Sequence, residues 1–220
     1  MFFLGQRVYD PRTLLLTQEY LESDKLALVL RSVLFEGYNV PIIVITGKNG
    51  KHFVVDGHHR VLVYAWLRRR VLGYTLLIPK YSPRVARTLL EVNVINPINT
   101  PVELFCWRHI VNTTRFIEKQ HGILAEVWFE EIPITKLKPT EPPIHGSPKP
   151  HESSLNCPIL VYKLNNEYYV IDGHHRVCVK LLAGEKNISS LVFTLGKEIG
   201  LVRTARTIGC IEFNEEYCGN

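Results

Sequence analysis

The chain has 220 residues, 46% of them hydrophobic and 21% charged, with a formal net charge of +5 and a pI near 8.9. That is enough chain for one large or two small domains of ordinary globular composition, and its mild basicity suits an anionic ligand. No apolar run approaches the roughly 20 residues of a membrane span, and Arg31 interrupts the nearest candidate. Met1 to Arg7 lacks the apolar core of a secretion signal. The five cysteines (Cys106, Cys157, Cys178, Cys210, Cys218) are odd in number and form no Cys-x-x-Cys pair, which predicts buried free thiols in a reducing cytoplasm rather than a disulfide framework or a zinc site.

In chain order, residues 7–19 read as an extended segment carrying Pro11 and Leu14-Leu15-Leu16. Tyr20 to Phe35 then places Leu26, Val29, Leu30, Val33 and Leu34 at helical spacing, with Gly37 as the stop. Pro41 opens a β-branched run to Ile45, Gly47-Lys48-Asn49-Gly50 makes a turn, and His52 to Val55 returns as the second strand of a hairpin. An apolar stretch with helical character follows from Val61 to Leu67, then a strand from Tyr74 to Ile78. Residues 83–122 read as helical closing and connecting structure, with helix starts at Pro83 and Pro101, a break at Asn96-Pro97 and a stop at His121-Gly122. Trp107 and Phe116 read there as packing residues between the halves rather than a base-stacking platform. Arg68-Arg69-Arg70 is the one tight basic run and reads as a solvated helix end that complements the helix dipole.

The second half opens with a strand from Val127 to Ile134 and a Pro-rich loop from Lys138 to His151, read either as a flexible cover or as a plain connector. It then repeats the first half. Pro158 opens Ile159 to Tyr162, Tyr168 to Ile171 follows, and Asp172-Gly173-His174-His175-Arg176 restates Asp56-Gly57-His58-His59-Arg60. The offset is 116 residues between the Asp pair (56 to 172), 117 between the Pro pair (41 to 158), and 119 between Ala86-Arg87-Thr88 and Ala205-Arg206-Thr207. A near-constant offset of this kind is what a duplicated domain leaves. The expected divisions are 1–95 for the first domain, 96–126 for a helical connector and 127–220 for the second domain.

Each pentapeptide sits where a strand ends and a helix begins. Gly lets a ligand approach the backbone closely, and the helix start presents unpaired N–H groups with partial positive charge. His58, His59 and Arg60, like His174, His175 and Arg176, add donors suited to phosphate oxygens, with Arg able to grip two at once. Asp56 and Asp172 are placed to face a metal or orient a histidine. Two readings stand: a phosphate cradle, or a packed turn in which Asp56 pairs with Arg60 and the histidines cap. Retention of all five residue types in both halves, while neighbouring residues drift, favours the cradle.

Segment order, hairpin and pentapeptide resemble the ParB/sulfiredoxin-like superfamily, whose members keep a Gly-x-x-Arg signature at a nucleotide-phosphate site. Asp-Gly-His-His-Arg is similar to the form in ADP-dependent free serine kinases. His58 and His174 stand where sulfiredoxins carry their reactive Cys, which removes that chemistry, and where ParB proteins carry Glu. The serine-kinase resemblance extends to a Lys-Pro-x-Glu segment, met by Lys138-Pro139-Thr140-Glu141, with Glu19 in the corresponding place of the first half. The resemblance implies an α/β (α+β) protein of two tandem ParB/sulfiredoxin-like domains. Each would be a small sheet with a strand–Gly turn–helix phosphate site, and the two repeats would form an intramolecular pseudo-dimer.

For function, the resemblance implies a cytoplasmic phosphotransferase using ADP or ATP. The phosphates would be held by Gly57 to Arg60 and by Gly173 to Arg176. Mg²⁺ would sit at Asp56 and Asp172, and Glu19 and Glu141 would serve as general bases toward a small hydroxyl acceptor. The alternatives are a nucleotide hydrolase, or a DNA-associated regulator switched by nucleotide, which lacks a clear DNA-reading helix pair here.

Overall fold

A computed structural model describes residues 2–146, 148, 156–208 and 212–219. The chain is a mixed α/β (α+β) protein of two compact units that divide between Glu126 and Val127. The first unit contains β1 (Phe2–Tyr9), β2 (Leu15–Leu16), β3 (Tyr20–Glu22), α1 (Ser23–Phe35), β4 (Ile42–Thr46), β5 (His52–Asp56), α2 (His58–Trp66), β6 (Val71–Leu77), β7 (Asn93–Ile95) and α3 (Phe105–His121). The second contains β8 (Glu126–Pro133, begun by the last residue of the first unit), β9 (Leu137–Lys138), β10 (Ile159–Leu164), β11 (Glu167–Asp172), α4 (His174–Leu182), β12 (Asn187–Thr194) and α5 (Gly200–Ile208).

The two main sheets have one strand order. It is β1-β6-β4-β5-β2 in the first unit and β8-β12-β10-β11-β9 in the second. In each, the central hairpin is antiparallel, its first strand pairs in parallel with the strand after the helix, and its second strand pairs in parallel with a two-residue edge strand. Even a local irregularity repeats. Ile43 faces Asp56 while Val44 faces Val54, leaving Val55 unpaired; Leu160 faces Asp172 while Val161 faces Val170, leaving Ile171 unpaired. A bulge one residue before the Asp twists the strand end and directs the chain into the turn.

Local chemistry explains the common elements. The hairpin turn has Asn49 and Gly50 at φ +60° and +70°, a region these two residues tolerate. Leu26, Ala27, Leu30 and Val33 form the buried stripe of α1. Gly37 at φ +68° closes that helix, with the Tyr38 N–H reaching the Ser32 carbonyl at 3.2 Å. Leu14, Leu16, Ile42, Val44, Val54 and Leu62 form the centre of the first core, and Ile132, Leu137, Ile159, Val161, Val170 and Val177 that of the second.

Four expectations are corrected. Residues 83–101 contain no helix. Arg87 instead bridges the open edge of β2, its N–H and carbonyl bonding Leu16 at 2.9 and 2.8 Å, and this edge pairing overrides the local helical pattern. Ala205-Arg206-Thr207 lies inside α5, so the downstream match with Ala86-Arg87-Thr88 is one of sequence without shared conformation. The third concerns the connecting helix. α3 belongs to the first core: the Glu118 carboxylate, buried and raised in pKa by desolvation, accepts Trp66 Nε1–H and the Ala125 N–H, each at 2.7 Å, and pairs with Arg115. Trp107 packs edge-on against Phe35 of α1, whereas Phe116 is exposed.

The fourth correction concerns the cysteines. Cys178 and Cys218 form a disulfide with a Cα–Cα distance of 5.3 Å, because Phe213 and Tyr217 carry the C-terminal segment back onto α4. Cys210 lies outside the described residues. No helix among the described residues is long and apolar enough to cross a membrane. Past Gly146, most of the Pro-rich stretch lies outside the described residues.

Candidate functional site

Gly57 and Gly173 cap α2 and α4 at φ +90° and +105°. Glycine is required there twice over. A Cβ on Gly57 would lie 2.6 Å from Ile42 Cγ2 and 2.9 Å from the Arg60 guanidinium; on Gly173 it would lie 2.5 Å from Ile159 Cγ2 and 2.9 Å from Arg176 Nη2. The Arg side chain lies where a Cβ would be.

Those guanidiniums are buried and largely spent inside the fold. Arg60 Nη1 donates to the carbonyls of Val40 (2.9 Å) and Pro41, and Nη2 to Asp56 Oδ2 at 2.7 Å. Arg176 repeats this with Cys157 O (3.1 Å), Pro158 O (2.9 Å) and Asp172 Oδ2. Each Arg thus ties the entry of one hairpin strand to the exit of the other. This is the packed-turn geometry that the sequence left as an alternative to a cradle. The helix-start N–H groups of residues 58–60 and 174–176 precede the first intrahelical bonds, Val61 N to Gly57 O and Val177 N to Gly173 O.

The first histidine of each motif is buried beneath a threonine. Thr17 Oγ1 donates to Val54 O at 2.7 Å, so its proton is spent, and it accepts from His58 Nε2–H at 3.1 Å. Thr140 Oγ1 donates to Val170 O at 2.6 Å, and its backbone N–H donates to His174 Nε2 at 3.1 Å. His174 therefore carries its proton on Nδ1, which faces Glu141 Oε2 at 3.4 Å. Burial lowers the pKa of both histidines, His174 to about 4 against the pull of Asp172. At neutral pH His174 is neutral, and its Nδ1 lies near a carboxylate that is 61% exposed.

Strand register fixes which residues correspond. Leu15 faces Phe53 and Lys138 faces Tyr169, so the edge strands are offset by 123 residues while the hairpins are offset by 116. Thr17 thus matches Thr140, and Gln18, not Glu19, matches Glu141. Glu19 is exposed, and its carbonyl accepts the Asn93 N–H at 3.1 Å. The structure brings Glu141 to the start of α4 and leaves the first unit with an amide at the equivalent place.

The second histidines also differ. His59 Nε2 accepts the Glu22 N–H at 3.0 Å at the start of α1; burial and the nearby Lys25 lower its pKa to about 4. His175 is exposed. In the second unit the C-terminal segment covers the site instead of a helix. Phe213 stacks 5.9 Å from the His174 ring, Tyr217 Oη donates to the Glu141 carbonyl at 3.1 Å, and the Ile144 N–H reaches Tyr217 O at 2.8 Å. Phe213, Tyr217 and the disulfide carried no signal in the sequence, whereas the threonine before each hairpin was visible in both halves.

Among the described residues no three His, Cys, Asp or Glu side chains converge on a point where they would hold a metal unaided. Asp56 is 62% exposed and gives one oxygen to Arg60. A single carboxylate of this kind fits Mg²⁺ only together with phosphate oxygens from a nucleotide, the usual way that ion is held at phosphoryl-transfer sites.

The chain matches no family model and no curated protein. It is similar to the crystal structure of protein Atu1540 from Agrobacterium tumefaciens, with 12% identity over 49% of this chain and 79% of that one and a TM-score of 0.34. A likeness that shallow carries no argument about fold or function.

Proposed function

We propose that the second unit is a nucleotide-dependent phosphotransferase site of the ParB/sulfiredoxin-like kind, with ADP or ATP as donor and a small hydroxyl compound as acceptor. One observation carries the reading: Glu141, with His174 Nδ1 3.4 Å from its carboxylate and Tyr217 Oη bonded to its carbonyl, presents an exposed carboxylate beside the N-terminus of α4. The unpaired N–H groups of that turn favour a phosphate. Glu141 then takes the proton from an acceptor hydroxyl as its oxygen attacks the terminal phosphorus, and the bond to the leaving phosphate breaks. Asp172 and Arg176 position the turn rather than touch the phosphate. Bound Mg²⁺ would supply charge neutralisation across the phosphates.

The test is a thermal-shift panel with ADP, ATP and CTP, each with and without Mg²⁺, followed by phosphate transfer to serine and other hydroxyl acceptors. A ligand at about 100 times its Kd stabilises by roughly 2.7 kcal/mol, a rise of roughly 5–11 °C. Absence of any shift overturns the reading.

A second reading keeps the nucleotide but not the transfer. Gln18 stands where Glu141 stands, so the first unit retains the turn without a base. That suits a unit in which nucleotide switches a DNA-associated regulator. Nucleotide-dependent, salt-sensitive duplex binding would favour it.

A further inference from the structure

At the far end of α2 the two units part company. The second residue past each helix takes a left-handed backbone: Arg68 at φ +52° in the first unit and Gly184 at φ +78° in the second. The two turns share a hydrogen-bond pattern, Arg68 N to Ala65 O with Arg69 N to Tyr64 O, and Gly184 N to Leu181 O with Glu185 N to Lys180 O. Gly184 is the residue stereochemistry prefers there. The first unit instead places a long cationic side chain in a strained position, followed by two more, where the second unit has Gly-Glu-Lys.

Complementing the dipole of α2 does not account for this, because one cation in ordinary backbone would serve. Nor does the ion pair of Arg68 with Glu126 at 2.9 Å, which is exposed on both sides and of a kind that contributes little. The three arginines line a cleft of about 220 Å³ together with Arg12, Asp10, Pro11 and Ala65. Arg12 comes from the 3-10 turn Pro11–Thr13, whose Asp10 carboxylate is occupied by the Arg12 N–H at 3.0 Å. Arg69 Nη1 makes a long contact to Val33 O at 3.4 Å. Arg12 and Arg70 have no side-chain hydrogen bond or ion pair among the described residues. Four arginines thus line a small cleft whose lining holds one carboxylate, Asp10, with Glu126 paired to Arg68 beside it, and at the place of Arg12 the second unit has Thr135.

We propose that this cleft binds a small ligand carrying two or more phosphate charges, and that Arg68 keeps its strained backbone because its charge is needed there. Planar guanidiniums grip phosphate oxygens two at a time, and the cleft holds a group of about pyrophosphate size. The site is independent of the α4 turn, so its test separates from that of the phosphotransferase reading.

The experiment is calorimetric titration of the full chain with inorganic pyrophosphate, alongside thermal melting, for the wild type, Arg68→Gly and the double variant Arg12→Gln/Arg70→Gln. Arg68→Gly relieves the left-handed strain, so its Tm rises by about 2–4 °C, while pyrophosphate affinity falls about tenfold. The double variant, changed only at exposed side chains, melts like the wild type and loses binding. Glu141→Gln leaves pyrophosphate binding at this cleft unchanged. Undetectable binding by the wild type overturns the proposal, as does unchanged affinity in the double variant. Arginine-dependent binding of duplex DNA without pyrophosphate binding overturns the small-ligand assignment.

Discussion

Thr17 and Thr140 make the same bond, each hydroxyl donating to the carbonyl of an equivalent hairpin strand residue, Val54 at 2.7 Å and Val170 at 2.6 Å. This pair sets the register between the two units more securely than the pentapeptide does. It shows that the residue after the threonine is Gln18 in one unit and Glu141 in the other.

The consequence for activity is asymmetric. Glu141→Gln is expected to lower phosphate transfer by about 10²–10⁴-fold while nucleotide-induced stabilisation persists. Glu19→Gln is expected to leave the rate within about twofold, since Glu19 is an exposed side chain that does not correspond to Glu141. Steady-state rates of the two variants decide the matter, and equal losses would refute the assignment of Glu141 as base.

Buried neutral histidines make stability depend on pH. His174 keeps its proton off until about pH 4, whereas an unfolded histidine binds one near its ordinary value of 6.5. Between those values the unfolded chain holds more protons, so stability is complete above about pH 6.5 and falls as pH drops toward 4. For His174 alone the loss at pH 5 relative to pH 7.5 is about 2 kcal/mol. His59 adds to it in the same direction. Urea midpoints for wild type and His174→Gln at pH 7.5 and pH 5 measure this, and an identical pH dependence in the two proteins would contradict it.

Arg60 and Arg176 hold the hairpin entries. Arg60→Ala leaves the Val40 and Pro41 carbonyls without their donor and is expected to cost about 2–4 kcal/mol. Gly57→Ala, which forces a Cβ to within 2.6 Å of Ile42 Cγ2, is expected to cost at least about 2 kcal/mol. Denaturant unfolding gives both values. A weakened nucleotide response in Arg60→Ala therefore has to be read against its stability, since loss of the turn alone would produce it.

The disulfide clamps the site of the second unit. Cys178 and Cys218 are 40 residues apart in sequence, and opening a loop of that length costs about 3–4 kcal/mol in the chain-entropy account. Cys178→Ala/Cys218→Ala is expected to lower the melting temperature and to reduce phosphate transfer, because Tyr217 then no longer fixes Glu141. Retention of full activity alongside a lowered Tm would separate the covalent clamp from the site.

Much was legible in the chain itself. The pentapeptides, the Pro-opened hairpins and their offset of 116 are local patterns. Asp at a strand end, Gly in a left-handed turn and an apolar helix after it fold alike wherever they occur, so the duplicated architecture followed from sequence. Partners distant in sequence were not legible. Arg87 pairs with Leu16 instead of continuing a helix, Glu118 seats α3 in the first core, and the segment from Phe213 to Cys218 folds over His174. Each depends on an edge, a buried donor or a face that exists only after the sheet has formed. The same holds at the candidate site. The sequence presented two glutamates as equivalents, but edge-strand register decided between Glu19 and Gln18 as the counterpart of Glu141, because a slip of one residue exchanges the faces of a strand.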